Sequence, residues 1–178
     1  RRVHDVIAAM NGKSKAMLLP YAKTKDDEFS FESMCILKDY EFNGVLTEEE
    51  SAGALMITGE YDSGNISVET EEGVIGVEIL SCRSDIKYGG NTFLITMYAD
   101  YALSGCGSIP YDVNDRIENE LENYMNSAIK KSCETDCDFL GFADKYYKYT
   151  GKEDKNSVRD FNISMRAICN LNFEGAVY

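Results

Sequence analysis

The sequence of 178 residues has no tryptophan, one histidine, two prolines and no uninterrupted apolar run of about 18 residues. Without such a run, no helix of the usual membrane-spanning length is expected within these residues. Because His4 is the one histidine, a serine or cysteine nucleophile activated by an imidazole would have to use it. Two prolines, 14 glycines and the absence of a low-complexity tract argue against a disordered segment.

Basic residues are also scarce, because 18 Lys and Arg face 31 Asp and Glu and give a formal net charge of −13. Binding to a phosphate backbone needs a positive footprint, so this charge argues against a nucleic-acid-binding role. It equally disfavours direct adsorption to an anionic membrane surface. With 44% hydrophobic residues the chain can bury an ordinary core, and without a repeat or linker we expect a single domain over residues 1–178.

The six cysteines are spread widely, and most lie in apolar runs, which favours buried free thiols. They are Cys35, Cys82, Cys106, Cys133, Cys137 and Cys169. Cys133 and Cys137 are the one close pair, and a disulfide between them stays open at this point. No second Cys or His pair follows at zinc spacing, so no metal site is expected.

The order of periodic segments predicts the fold class. Helical spacing predicts helices, and alternation of apolar and polar residues predicts strands. The predicted helices are 3–10, 47–58, 112–135 and 138–149, and the predicted strands are 16–21, 31–37, 40–46, 66–70, 74–86, 92–103 and 161–173. The charged segment 23–28 is expected to be a loop. This order predicts an α+β fold, with an antiparallel or mixed β-sheet and helices packed mainly on one face.

The segment 42–53 has the clearest local signal, because a strand ends and a helix begins there. Thr47 followed three residues later by Glu50 is a capping box, in which each side chain accepts from the other residue's backbone amide. Glu48 and Glu49 add negative charge where the helix macrodipole is positive. We expect Ala52, Leu55 and Met56 on the buried side of this helix.

The usual catalytic and cofactor motifs are missing. Cys106 lies between glycines, but a loop between a strand and a helix explains that setting. There is no nucleophile elbow, no P-loop lysine and no EF-hand pattern. We therefore expect no catalytic residue, cofactor or metal. In the aromatic run 146–149 we expect Tyr146 in the core and Tyr147 and Tyr149 as amphipathic surface residues.

Two motifs resemble the C-terminal domain of the Ger(x)C family, the C subunit of bacterial spore nutrient germinant receptors. In that family an apolar strand runs into Asn-Glu-Glu-Glu-Ser-x-Gly, and this chain has Thr-Glu-Glu-Glu-Ser-Ala-Gly at 47–53. A later helix begins with an Asp-x-Phe-Gly-Phe-Gly-like stretch, which resembles Asp-Phe-Leu-Gly-Phe-Ala at 138–143. The resemblance covers about residue 15 to the end. The family often has a tryptophan at the strand end, and this chain has none.

The resemblance implies a non-enzymatic domain that acts by protein–protein contact in nutrient-triggered germination. Its partners would be the membrane-embedded A- and B-type receptor subunits. The resemblance also implies an upstream lipidated cysteine that would hold the protein on the outer face of the spore inner membrane. The first residues, from Arg1, do not have the pattern of a signal peptide. The candidate partner-contact residues are those of the shared motif: Glu48, Glu49, Glu50 and Ser51.

A different class of function also fits an acidic α+β domain. The chain would then be an extracellular small-molecule-binding domain of a bacterial surface lipoprotein. A concave apolar pocket with converging polar groups, held between sheet and helices, would favour this alternative.

Overall fold

A computed structural model describes residues 3–25, 28–71, 73–104, 111–155 and 157–172. These residues form an α+β fold with two sheets, which confirms the predicted class. The helices are α1 (Val3–Met10), α2 (Glu48–Thr58), α3 (Val113–Glu134) and α4 (Phe142–Thr150), with a 3₁₀ turn at Val158–Asp160. The strands are β1 (Ala16–Lys25), β2 (Glu28–Lys38), β3 (Glu41–Val45), β4 (Gly64–Thr70), β5 (Gly73–Gly89), β6 (Thr92–Ser104) and β7 (Asn162–Leu171).

The first sheet has the order β1-β2-β3 and is antiparallel throughout. The loop expected at 23–28 is wrong for its described residues, because β1 extends to Lys25 and β2 begins at Glu28. Lys25 pairs with Glu28 and Thr24 with Phe29. Cross-strand pairing therefore includes charged residues of low strand propensity, Lys25 and Glu28, for which the sequence pattern favours a loop.

The second sheet has the order β4-β5-β6-β7 and is mixed. β4, β5 and β6 form an antiparallel meander, whereas β7 runs parallel to β6 over ten paired positions from Thr92↔Asn162 to Tyr101↔Leu171. Parallel neighbours need a long crossover, and here the crossover contains both α3 and α4. The alternation along β6 and β7 therefore predicts the strands but not their relative direction.

One hydrophobic core joins the elements of both sheets. α3 lies on the second sheet and turns a helical row of buried residues towards it: Val113, Ile117, Leu121, Met125 and Ala128. Tyr124 lies beside this row and is only partly buried. Around the start of α4 a second group of residues is buried: Phe139, Phe142, Ala143 and Tyr146.

α2 connects the two sheets, because it packs against β2 of the first sheet and against β5, β6 and α3. Because α2 is buried on several sides, its apolar residues do not form the single stripe that is typical of a surface helix. The buried residues are Ser51, Gly53, Ala54, Met56 and Ile57. Of the three residues expected on the buried side, Met56 is buried, whereas Ala52 and Leu55 are only partly buried.

Candidate functional site

The start of α2 has the predicted capping box. Thr47 Oγ1 accepts a hydrogen bond from the backbone N–H of Glu50 at 3.1 Å, and Glu50 Oε2 accepts one from the N–H of Thr47 at 2.8 Å. Glu50 also lies 3.6 Å from Lys131 Nζ of α3. The carboxylate of Glu50 is thus committed to contacts within the chain.

Ser51 joins α2 to the first sheet. Its side chain is buried, and its Oγ donates to the carbonyl of Thr47 at 2.6 Å while accepting from the backbone N–H of Met34 in β2 at 3.0 Å. Both hydrogen-bonding roles of the hydroxyl are filled. Ser51 therefore supports the fold, and its side chain does not point a free polar atom towards a partner.

Gly53 sets the distance between α2 and α3. A Cβ at this position would lie 1.9 Å from the carbonyl oxygen of Tyr124, which is backbone and cannot move aside without displacing α3. Only glycine allows the two helices to approach this closely. Four of the seven residues from Thr47 to Gly53 thus have a visible structural role: the two box residues, Ser51 and Gly53.

Glu48 and Glu49 differ from these neighbours because their side chains are exposed. Among the described residues neither carboxylate forms an ion pair or a hydrogen bond. The four candidate residues therefore divide into two that make contacts inside the chain and two whose charge faces solvent.

A cleft of about 490 Å³ adjoins the two exposed glutamates. It lies between β2, the first half of α2, the chain entering β4, and Tyr124 of α3. Its lining is Ser33, Met34, Glu48, Glu49, Ser51, Ala52, Leu55, Tyr61, Ser63, Gly64, Asn65, Ile66, Ser67 and Tyr124. The charged side chains of this lining are both carboxylates, so the cleft is acidic.

Ser33, like Ser51, is a buried polar residue of this cleft, with 4% of its surface exposed. Its Oγ has no hydrogen-bond partner in the described part of the chain. An unpaired buried hydroxyl costs free energy of about 1–3 kcal/mol. Ser33 therefore holds an unused hydrogen-bonding group in the wall of an acidic cleft.

Two tyrosines line the same cleft, and both have a raised pKa. Burial is the main cause for Tyr61, followed by the charges of Cys82 and Glu48. Burial is also the main cause for Tyr124, followed by the negative charges of Glu120 and Glu49. Both phenols therefore stay neutral at physiological pH. The cleft has two uncharged aromatic side chains in its lining, beside the two carboxylates.

The start of α4 is built around a buried aspartate. Asp138 accepts hydrogen bonds from the backbone N–H groups of Phe142 and Ala143, at 3.0 and 2.7 Å, and from Ser14 Oγ at 2.7 Å. Burial raises its pKa against the opposing effect of these bonds. The predicted helix start at 138 is therefore early: α4 begins at Phe142, and Asp138 caps it from the preceding turn.

Comparison with known proteins gives the family. A sequence profile described as "Spore germination B3/ GerAC like, C-terminal" matches residues 32–177, which is more than half of the chain. The chain belongs to this family. The resemblance predicted from the motifs at 47–53 and 138–143 is confirmed.

The fold of this GerAC-like domain is also known from a crystal structure. A solved structure described as "Crystal Structure of the GerBC protein" superposes with a TM-score of 0.80 at 15% sequence identity, covering 96% of this chain and 60% of that one. The chain therefore spans about three fifths of the length of that relative. At this identity the likeness shows the fold alone. No curated protein matches the sequence.

The thiols of the GerAC-like domain that the structure describes are free: Cys35, Cys82, Cys133, Cys137 and Cys169. Cys137 and Cys169 are buried, as expected, whereas Cys35, Cys82 and Cys133 are only partly buried. Burial raises the pKa of Cys169 to about 12 and that of Cys82 to about 11. Cys106 lies outside the described residues.

Neither a metal centre nor a membrane-spanning helix is found in the described part of this family member. No group of three or more His, Cys, Asp or Glu side chains there is arranged to hold a metal ion. No helix among these residues has the length and hydropathy to cross a bilayer. His4 is exposed and pairs with Asp5 at 2.8 Å.

The aromatic run 146–149 follows the prediction. Tyr146 is buried and packs edge-on against Tyr88, while Tyr147 and Tyr149 are exposed. Tyr149 donates its hydroxyl to the carbonyl of Ile86, and Lys13 lies over the ring of Tyr147. These contacts hold α4 against neighbouring elements.

Sequence reasoning missed the role of two glutamates in α3. Glu118 Oε1 accepts a hydrogen bond from the backbone N–H of Cys169 at 2.9 Å, and Glu122 Oε1 accepts one from Ala167 at 3.0 Å. β7 is an edge strand, so these carboxylates occupy amides that a further strand would otherwise use. The spacing of four residues on one helix face was the available signal, but the parallel placement of β7 was needed to interpret it.

Proposed function

We propose that this chain is a domain of a spore germinant-receptor C subunit that acts by protein–protein contact, without catalysis, in nutrient-triggered germination. Family membership is the observation that carries the proposal. The partners are membrane-embedded A- and B-type receptor subunits. A lipid anchor upstream of the chain keeps the protein on the outer face of the spore inner membrane.

The contact surface in this proposal is the exposed pair Glu48 and Glu49. Both carboxylates are solvent-facing, and within the described residues neither is neutralised. Their neighbours Glu50 and Ser51 contribute indirectly, because they fix the start of α2 and its position on β2. Unpaired charge on a rigid helix start suits partner selection, since charged groups at an interface rim steer encounter and suppress wrong partners.

The test is co-purification of the full-length protein with its membrane partners from spores. The informative variant is E48Q/E49Q, which removes two charges and keeps the capping box. We expect wild type to recover the receptor subunits and the variant to recover at least tenfold less. The matched control is E41Q/E78Q, since Glu41 and Glu78 are also exposed and lie outside the cleft lining. Equal recovery from all three proteins would remove Glu48 and Glu49 from the contact surface.

A second candidate function is small-molecule binding, and the cleft is the observation that favours it. Its volume of about 490 Å³ lies within the range of about 300–1,000 Å³ typical of ligand pockets. The alternative predicts that a nutrient mixture raises the melting temperature of the isolated chain and that S33A abolishes this rise. Receptor subunits that co-purify through Glu48 and Glu49, without any such ligand effect, would favour protein contact.

A further inference from the structure

We propose that the acidic cleft between β2, α2 and the start of β4 receives a lysine or arginine side chain from a partner protein. The inference rests on the proposed function and deepens it, because it names the chemistry of the partner group. Three independent features of the cleft lead to it: the charge at its opening, the aromatic surface along it and an unpaired buried hydroxyl.

The charge selects a cation. Glu48 and Glu49 are the charged residues of the lining, and both are acidic. The chain has a net charge of −13, so an approaching cation meets a favourable potential over a large part of the surface. Glu50 closes the capping box, whereas Glu48 and Glu49 are exposed and have no ion-pair partner among the described residues.

The aromatic and apolar lining favours a cationic group carried on an aliphatic side chain. Tyr61 and Tyr124 line the cleft with Leu55, Ala52 and Ile66. A tyrosine ring attracts an ammonium or guanidinium group placed over its face, and apolar side chains accommodate a methylene stem. A hydrated inorganic ion would use neither the rings nor the apolar lining.

Ser33 provides the polar end point. Its Oγ is buried, unpaired among the described residues, and part of the cleft lining. A serine oxygen accepts hydrogen bonds, and ammonium and guanidinium groups only donate them. A basic side chain entering past Glu48 and Glu49 would satisfy this oxygen at its tip.

The position of the carboxylates favours a partner side chain over a free small cation. Glu48 and Glu49 are exposed at the rim, so the charge recognition occurs at the protein surface. Small-molecule sites usually bury about 70–90% of their ligand, with the orienting polar groups inside. A side chain presented by a docked protein needs an opening of the kind found here, with charge at the rim and a polar atom within.

The experiment is an NMR titration of the isotope-labelled chain with an acetylated, amidated pentapeptide, Ala-Ala-Arg-Ala-Ala. The matched peptide carries citrulline instead of arginine, which keeps the shape and removes the charge. We expect the arginine peptide to shift the amide signals of Ser33, Tyr61 and Tyr124 and to bind at least tenfold more tightly than the citrulline peptide. E48Q/E49Q should lose at least tenfold in affinity and S33A about threefold, while E41Q/E78Q should bind like wild type.

Four results would overturn the proposal. Equal binding of the arginine and citrulline peptides would exclude charge recognition. Equal weakening in E41Q/E78Q would mean that the peptide responds to overall charge and not to this cleft. Tighter binding of free agmatine than of the peptide would assign the cleft to small amines. If no peptide binds but spore co-purification still depends on Glu48 and Glu49, the proposed function stands and the cleft inference fails.

Discussion

Two helices of this domain begin among acidic residues and use them in opposite ways. At α4, Asp138 is buried and holds two backbone amides and Ser14, and Asp144 accepts from the amides of Lys13 and Ser14. At α2 one glutamate of three closes the capping box, and Glu48 and Glu49 face solvent. Acidic residues near a helix start thus make contacts within the fold at α4, whereas two of the three at α2 face solvent.

Desolvation explains the difference. A carboxylate that loses water is stable only when hydrogen bonds replace it, and Asp138 has three donors around it. Removing Asp138 therefore leaves buried donors without an acceptor, whereas removing an exposed carboxylate leaves nothing unsatisfied. The comparison predicts that the stability effect of removing an acidic residue near a helix start follows its burial and its hydrogen-bond partners.

The largest effect is expected where α2 meets α3, away from any charge. In G53A the new Cβ would lie 1.9 Å from the Tyr124 carbonyl oxygen, so the helices must separate. We expect a loss of about 3 kcal/mol or more in the free energy of unfolding. Urea denaturation measures it. G76A is the control, because a Cβ there meets nothing within 4 Å, and a loss similar to that of G53A would refute the close-approach explanation.

The second largest loss of stability is expected at Asp138, the buried acid before α4. D138A removes the acceptor for the amides of Phe142 and Ala143 and for Ser14, and we expect a loss of about 2–3 kcal/mol. E48A at the other helix start should cost less than about 1 kcal/mol. Thermal and urea unfolding of both variants give the two values. Comparable losses would contradict the division between internal and exposed acids.

Only the local part of this comparison could be predicted from the sequence. The capping box of Thr47 and Glu50 depends on residues three apart, so the pattern alone predicts it. The roles of Ser51 and Gly53 depend on β2 and α3, which are distant in sequence. Alternation likewise predicts the strands, since it records which face is buried, but not that they divide between two sheets or that β7 is parallel.

A third use of acids lies on α3, and its effect should be smaller. In E118A/E122A the amides of Cys169 and Ala167 lose their acceptors at the edge strand β7. We expect a loss of about 1–2 kcal/mol, because solvent can replace part of each bond. An exposed edge with free amides also favours pairing between chains, so light scattering should detect oligomers at high concentration.

The control for this variant is E120A, on the same helix and between the two positions. Glu120 accepts a long hydrogen bond of 3.5 Å from Asn123, whereas the amides of Ala167 and Cys169 in β7 donate to Glu122 and Glu118. We expect E120A to remain monomeric and to unfold like wild type. If E120A formed oligomers to the same extent, the association would result from the loss of surface charge and not from the uncovered edge of β7.

The smallest effect is expected at the residues proposed to bind the partner. E48Q/E49Q should change the free energy of unfolding by less than about 1 kcal/mol, because the lost attraction to the α2 macrodipole is offset by relief of repulsion in a chain of net charge −13. E50A, which opens the capping box, should lose about 1 kcal/mol and provides the adjacent comparison. Urea denaturation of the three proteins decides the point. A large loss in E48Q/E49Q would mean that these glutamates support the fold, and weaker partner recovery by that variant would then report unfolding instead of a lost contact.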